Sequence, residues 1–121
     1  MKKNILTLSL LFAISLCLSF IPAEQKFLPT SLRITIINEL GNVEEGAKVI
    51  LYKSKEDYNQ EKNAIGEPQT TDKKGRVTFK KLEPVVYFVH AEKGDRNNYG
   101  AGVQTDTLQE GRINKVNIVI E

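Results

Sequence analysis

A chain of 121 residues, 40% of them hydrophobic, is long enough for one domain with a modest core and too short for two. Of its 17 basic residues, Lys2 and Lys3 are the only charges in residues 1–23, and removing them leaves 15 basic residues against 15 acidic ones. The remainder is therefore neutral, which disfavours a nucleic-acid partner because such binding usually requires a concentrated basic surface.

The N-terminal segment has the pattern of a secretory signal peptide. Two lysines precede an uncharged apolar run from Ile5 to Ile21, and Ala23 suits the last position before a cleavage site. We therefore expect a signal peptide over residues 1–23 and a mature chain that begins near Glu24.

Two alternatives for this segment stay open. The apolar run reaches the lower limit of membrane-spanning length, which would leave it as an uncleaved anchor. Residues Ile14–Cys17 also resemble the lipobox of bacterial lipoproteins, which predicts a lipid anchor on Cys17. Cys17 is the only cysteine, so a chain cleaved after Ala23 would contain no disulfide.

The rest of the chain is typical of an all-β sandwich. Residues 24–31, interrupted by Pro29, are predicted to be a short tether before a domain over 32–121. The alternating or continuously apolar segments predict strands at 32–36, 47–52, 69–71, 77–81, 85–89, 103–107 and 113–120. About seven short strands with polar turns between them indicate one Ig-like or transthyretin-like sandwich.

The longest polar segment, residues 53–67, shows no sustained apolar stripe and is interpreted as an exposed loop. The segment at 72–75, Asp-Lys-Lys-Gly, predicts a tight turn, because Asp accepts backbone hydrogen bonds and Gly adopts angles that other residues avoid. Phe79 follows on an alternating strand and is predicted to be a core residue. Val85–Val89 is predicted to be a central strand after a corner at Pro84, which cannot donate to a ladder.

Several motifs resemble the carboxypeptidase regulatory-like (transthyretin-like, prealbumin-like) domains of exported bacterial proteins. They are Gly41–Val49, Thr71–Leu82 and Tyr87. The resemblance covers about residues 32–120 and implies a β-sandwich that accompanies enzymes, receptors or surface proteins and is not itself catalytic. The family's Leu-x-Pro-Gly-x-Tyr corner has Val85 here in place of the glycine.

Related adhesin-stalk repeats form an internal Lys–Asn isopeptide bond beside an acid. Arg33 and Ala91 occupy the corresponding positions here, so we expect no such bond. The transthyretin-related hydrolases need several His and Arg residues and a C-terminal Tyr-Arg-Gly-Ser, whereas this chain has His90 alone and its last five residues are Asn-Ile-Val-Ile-Glu. His90 is interpreted as a packed or edge residue of a strand.

Catalytic and cofactor signatures are missing from the sequence. It has no Gly-rich phosphate loop, nucleophile elbow or EF-hand spacing. One histidine and no cysteine after cleavage would leave only carboxylates for zinc. We therefore expect no catalytic residues, no metal and no cofactor. The basic residues at 73, 74, 76, 80 and 81 are interpreted as solvated turn and edge residues.

The preferred function is a noncatalytic interaction or accessory module of the bacterial envelope, which is periplasmic, at the cell surface or secreted. Its expected partner is another envelope or surface protein. The alternative is a carbohydrate-binding module that uses exposed Tyr52, Tyr58 and Tyr99. Simple alternation of strands, however, predicts that Tyr58 and Tyr99 lie at opposite ends of the sandwich.

The same alternation brings loops 39–46, 72–76 and 93–100 to one end, where we predict a mixed-charge protein-contact surface. Its candidate contact residues are Asp95, Arg96, Asn97, Asn98 and Tyr99. Acids at this end would suit calcium, but the neighbouring lysines and arginine favour pairing with those acids. Separately, Asp-Thr-Leu at 106–108 resembles an O-glycosylation acceptor and marks Thr107 as a candidate modification site.

Overall fold

The computed structural model describes residues 28–121, so the predicted signal peptide, Cys17 and residues 24–27 of the predicted tether lie outside the described residues. Within residues 28–121 the chain forms seven strands and one short helix. The strands are β1 (Ser31–Ile37), β2 (Lys48–Tyr52), β3 (Gln69–Thr70), β4 (Arg76–Phe79), β5 (Phe88–Lys93), β6 (Arg96–Asn97) and β7 (Ile113–Val119). Helix α1 (Lys55–Gln60) connects β2 to β3.

The strands form two sheets, one of order β4-β1-β7 and one of order β3-β2-β5-β6. Neighbouring strands are antiparallel except β1 and β7, which run parallel with Ser31 opposite Ile113 and Ile37 opposite Val119. The apolar faces of the two sheets enclose the core, and the predicted all-β sandwich of about seven strands is confirmed.

The alternation predicted for the strands describes the core correctly. On β1, Leu32, Ile34 and Ile36 are at most 1% exposed, whereas Arg33 and Thr35 between them are half-buried on the outer face. Phe79 is 4% exposed, which confirms it as a core residue. The complete core cluster is Leu32, Ile34, Ile36, Ala47, Val49, Leu51, Val77, Phe79, Tyr87, Val89, Ala91, Leu108, Ile118 and Ile120.

The turn before β4 forms as predicted. The Asp72 carboxylate accepts the backbone N–H groups of Lys74 at 2.9 Å and Arg76 at 3.0 Å. Gly75 has a φ of +73°, and a Cβ at this position would lie 2.9 Å from the carbonyl oxygen of Ile36. Both the backbone angle and the close approach to β1 therefore require glycine here.

The corner after β4 differs from the prediction, because only Phe88 and Val89 of the segment Val85–Val89 lie in a strand. The Tyr87 hydroxyl accepts the backbone N–H of Glu83 at 2.9 Å and donates to the Glu83 carbonyl at 3.2 Å. Because the Tyr87 side chain bonds both the N–H and the carbonyl of Glu83, it holds residues 83–87 in a compact corner, as in the tyrosine corners of other sandwiches. Regular pairing therefore starts only at Phe88, and β5 is an inner strand of its sheet.

The interpretation of residues 53–67 as a loop is wrong in part, because α1 forms within this segment. Ser54 caps the helix by accepting the backbone N–H of Asp57 at 3.0 Å, and Glu56 and Asp57 lie in its first turn. Both features favour a helix N-terminus even where no apolar stripe exists. Among residues 28–121, no helix is long and apolar enough to cross a membrane.

The strand predicted at 103–107 is also wrong. Gln104 forms one isolated bridge with Phe88, and the Thr105 hydroxyl accepts the Tyr87 N–H at 3.0 Å and donates to the Asp106 carbonyl at 2.7 Å. Backbone bonds join the segment to residues 85–89, from Val89 N–H to the Val103 carbonyl at 2.7 Å and from Thr105 N–H to the Tyr87 carbonyl at 2.9 Å, but they do not continue as a regular ladder. The short strand β6 forms instead, inside the predicted loop at 93–100.

Candidate functional site

Loops 39–46 and 93–100 meet at the carboxylate of Glu44. Arg96 Nη1 donates to Glu44 Oε1 at 2.8 Å, and Lys93 Nζ donates to Oε2 at 3.0 Å. The Glu44 side chain is only 11% exposed, so these two cations surround a carboxylate that is largely shielded from water. The hydrogen bonds from Arg96 and then Lys93 lower the pKa of Glu44 to about 2, and the same contact raises the pKa of Arg96.

The third loop, 72–76, joins the same end through backbone contacts. Ile36 N–H donates to the Gly75 carbonyl at 2.7 Å, and the Thr71 hydroxyl donates to the Glu44 carbonyl at 2.6 Å. The Ala47 N–H in turn donates to the Thr71 hydroxyl at 2.9 Å. The three loops that the strand alternation grouped together do lie at one end of the sandwich, which we call the loop end.

The loop end presents two exposed apolar side chains. Leu40 is 86% exposed and Val43 is 50% exposed, both in the connection from β1 to β2. The Asn38 side-chain oxygen accepts the N–H groups of Leu40 and Asn42 at 3.0 Å each, which holds this connection in one conformation. These apolar groups therefore stand on an ordered loop at the rim of a charged cluster.

The five candidate contact residues have different surroundings. Asp95 is exposed in the turn between β5 and β6, and Arg96 and Asn97 are half-buried in β6. Asn98 is 0% exposed, and its side chain bonds Ala91 N–H at 3.0 Å, the Val89 carbonyl at 2.8 Å and the Gly102 carbonyl at 3.1 Å. The prediction that Asn98 contacts a partner is therefore wrong, because its polar atoms are committed inside the fold.

The prediction that Tyr58 and Tyr99 lie at opposite ends is wrong as well. Their ring centroids are 6.2 Å apart, and His90 lies 5.2 Å from Tyr99 and 6.4 Å from Tyr58. Tyr52 completes the group at 5.8 Å from Tyr58. Helix α1 packs over the outer face of the four-stranded sheet, and the chain after β6 returns to that face. The connections that carry Tyr58 and Tyr99 therefore meet on a face of the sandwich and do not stay at its two ends.

Within this aromatic cluster of Tyr52, Tyr58, His90 and Tyr99, the rings mainly cover one another. Tyr52 is 3% exposed, and the buried hydroxyl of Tyr58 has no hydrogen-bond partner among residues 28–121. Burial raises the pKa of Tyr58 to about 12. The His90 Nε2 lies 3.1 Å from Glu92 Oε2 and its side chain is 9% exposed, which places His90 as a packed strand residue. Tyr99, at 57% exposed, is the ring of the cluster that is open to solvent.

The remaining candidate positions are separate from the loop end. Thr107 is exposed in the irregular segment before β7, accessible to a modifying enzyme. Arg33 lies on the outer face of β1, whereas Ala91 is 0% exposed in the core. In the part of the chain that the structure describes, no three His, Cys, Asp or Glu side chains come together to hold a metal.

The Glu44 cluster predicts a specific dependence of stability on pH. A carboxyl group whose pKa is lower in the folded state stabilises the fold above its unfolded-state pKa, and this contribution is lost as the pH falls through the folded value. For Glu44 the window runs from its ordinary value of 4.5 down to about 2. We expect urea melts of the wild type to lose stability across this window and melts of Glu44→Gln to lose less. Parallel curves for the two proteins would contradict the assignment.

Comparison with known proteins supports the fold. No protein-family model and no curated protein matches the chain. A streptococcal ancillary pilin is similar in structure with a TM-score of 0.55 and 16% identity, covering 79% of this chain and 33% of that one. The pilus 2b backbone protein of group B streptococcus has a TM-score of 0.50 and 15% identity, covering 75% and 40%. The Bacillus anthracis TIE protein has a TM-score of 0.47 and 17% identity, covering 76% and 16%.

The chain therefore spans less than half the length of each of these proteins. At identities this low, the likeness concerns the fold alone. The described residues form a β-sandwich of the kind found within two bacterial pilus proteins.

Proposed function

We propose that this chain is a noncatalytic interaction module of the bacterial envelope that contacts another surface protein through its loop end. The observation that carries the proposal is the Glu44 cluster, which joins loops 39–46 and 93–100, together with Leu40 and Val43 exposed on the first of these loops. Affinity at protein interfaces comes mostly from a few anchors inside a polar rim. At the loop end, Leu40 and Val43 are exposed on the same loop as Glu44, whose carboxylate holds Lys93 and Arg96.

Order at the loop end also favours binding. Ordering a flexible loop on association costs free energy, and a loop that is already fixed avoids this cost. The Asn38 side chain fixes the connection that bears Leu40, and the Glu44 carboxylate fixes its position relative to β6. A partner would therefore meet a preformed surface.

The finer assignment is that residues 32–121 form a carboxypeptidase regulatory-like domain, exported by a signal peptide over residues 1–23. The motifs at 41–49 and 71–82, the sandwich and its likeness to pilus proteins support this assignment. An N-terminus near Glu24, found by sequencing the protein from its native host, would agree with export as a cleaved protein. An acylated Cys17 would contradict it.

The protein contact can be tested with a photo-crosslinking amino acid at position 40 and, as the matched control, at exposed position 62 beyond α1. We expect the probe at 40 alone to capture one defined surface protein. With that partner purified, Leu40→Asp should weaken binding by about tenfold or more in calorimetry, because a charge would enter an apolar contact. Lys62→Asp should leave binding unchanged.

A second variant, Asp95→Ala/Arg96→Ala/Tyr99→Ala, tests the β6 side of the loop end and should also weaken binding. The melting temperature of each variant shows whether the fold has been preserved. Binding that survives both variants but is lost on substitutions in residues 53–66 would place the contact at α1 instead of the loop end and refute the proposal.

Carbohydrate binding is a second candidate, because the structure brings Tyr58 and Tyr99 together. The interplanar angles of 86° between Tyr52 and Tyr58 and 66° between Tyr58 and Tyr99 make the rings edge-on neighbours, which does not form a flat platform. Tyr99 alone would stack on a sugar. A glycan array on which the wild type binds and Tyr99→Ala does not would favour this candidate over the protein contact.

A further inference from the structure

Strand pairing gathers cationic side chains on the outer face of the three-stranded sheet. Arg33 of β1 lies opposite Thr78 of β4 on one side and Lys115 of β7 on the other. Two residues further along β1, Thr35 lies opposite Arg76 of β4, so Arg76 is a diagonal neighbour of Arg33. Diagonal neighbours of this kind are within reach of long side chains. The face therefore carries positive charge at positions that are distant in the sequence, and no acidic residue lies within these three strands.

An open groove of about 640 Å³ runs along the β4 edge of this face, toward β3 of the other sheet. Four cationic residues line it, namely Arg33, Lys73, Lys74 and Arg76. The remaining lining is largely polar and includes Gln69, Thr70 and Thr78. We call this feature the cationic groove.

Nearby acids balance the charge of the groove only in part, because one acid lines it beside four cations. The one acid in its lining, Asp72, accepts the backbone N–H groups of Lys74 and Arg76, so its carboxylate serves the turn. The ion pairs among residues 28–121 join Lys53 to Glu83, His90 to Glu92, and Lys93 and Arg96 to Glu44. None of these pairs includes a cation of the groove. The groove is therefore locally positive, even though basic and acidic residues are equal in number after residue 23.

We propose that the cationic groove binds a linear polyanion with repeating phosphate groups. Guanidinium groups bind phosphate through paired hydrogen bonds, and lysines add point charges. The lining has no aromatic ring on which a nucleobase would stack, and its apolar member, Val77, is 5% exposed. This inference goes beyond the proposed protein contact, with which it shares only the turn at 72–76.

The groove is less suited to an acidic peptide that adds a strand to β4. This strand has only four residues, and the Gln69 side-chain amide already donates to the Thr78 carbonyl at 3.0 Å. An added strand would have to displace this bond to pair along the edge. Phosphate groups need only the charges and donors that line the groove.

The test is a titration of the purified protein with long-chain inorganic polyphosphate at several salt concentrations. We expect binding that weakens with salt, because each neutralised phosphate releases a counterion. Arg33→Gln/Arg76→Gln should lower the affinity by about tenfold at about 0.1 M salt and reduce the slope of log K against log[salt] by about 2. The matched control Lys55→Gln/Lys62→Gln removes two exposed cations on and beyond α1, outside the groove lining, and should change neither quantity.

Three outcomes would overturn the proposal. The first is that the wild type fails to bind polyphosphate at low salt. The second is that the control variant loses as much affinity as the groove variant. In the third, poly-L-glutamate of equal charge binds as tightly as polyphosphate, which would assign the groove to acidic peptides. Leu40→Asp serves as a separate check, since it should leave polyphosphate binding intact whatever its effect on the protein contact.

Discussion

Replacing Phe79 with alanine is expected to lower the free energy of unfolding by about 3–5 kcal/mol. The Phe79 side chain is 4% exposed and lies on β4 opposite Leu32, between the two sheets. Its removal leaves a cavity that rigid sheets cannot fill, and a small domain has only about 5–15 kcal/mol of stability in total. Denaturant melts should show a lower midpoint with an unchanged slope.

Lys80→Ala is the matched control for Phe79→Ala, because Lys80 follows on the same segment and is exposed. It should change stability by no more than about 0.5 kcal/mol. A loss below about 1 kcal/mol for Phe79→Ala would mean that the ring does not fill the space between the sheets.

Asn98→Ala is expected to cost about 2–4 kcal/mol. The substitution leaves the buried N–H of Ala91 and the carbonyl of Val89 without partners, and each such group costs about 1–3 kcal/mol. Chemical denaturation measures the loss directly. The neighbouring Asn97→Ala is the control, since the Asn97 side chain accepts a bond only from the exposed Tyr99 N–H and should cost less than about 1 kcal/mol. Equal losses for the two variants would refute the role given to Asn98.

Local rules of the chain were enough to predict much of the fold. The alternation in β1 separates Leu32 and Ile34 from Arg33, because successive side chains of a strand point to opposite faces. The turn at 72–75 is equally local, since Asp72 and Gly75 satisfy its hydrogen bonds and backbone angles within five residues. Such features need no information about the rest of the molecule.

Features that depend on distant contacts were missed. Asn98 looks like any loop asparagine until β5 supplies the backbone groups that it bonds. Pairing of acids with cations at the loop end was expected, but Glu44 lies 49 and 52 residues from the two cations that it binds, and no spacing in the sequence identifies this pair among the others. The helix could have been found, because Ser54 followed by Asp57 three residues later is a capping pattern.

The parallel pairing of β1 with β7 has a mechanical consequence. Tension applied at the start of β1 and at the end of β7 would pull these two strands along their length in opposite directions. All seven registered positions from Ser31 to Ile37 would then bear the load together, so the strands could not separate one bond at a time. In single-molecule stretching, the force that unfolds the domain should be higher when it is applied at these two points. It should be lower when it is applied at two points that peel β7 away from β1 starting at one end. The sandwich would then transmit force along its first and last strands, with the load entering β7 at the loop end, where Glu121 exchanges backbone hydrogen bonds with Asn97 of β6.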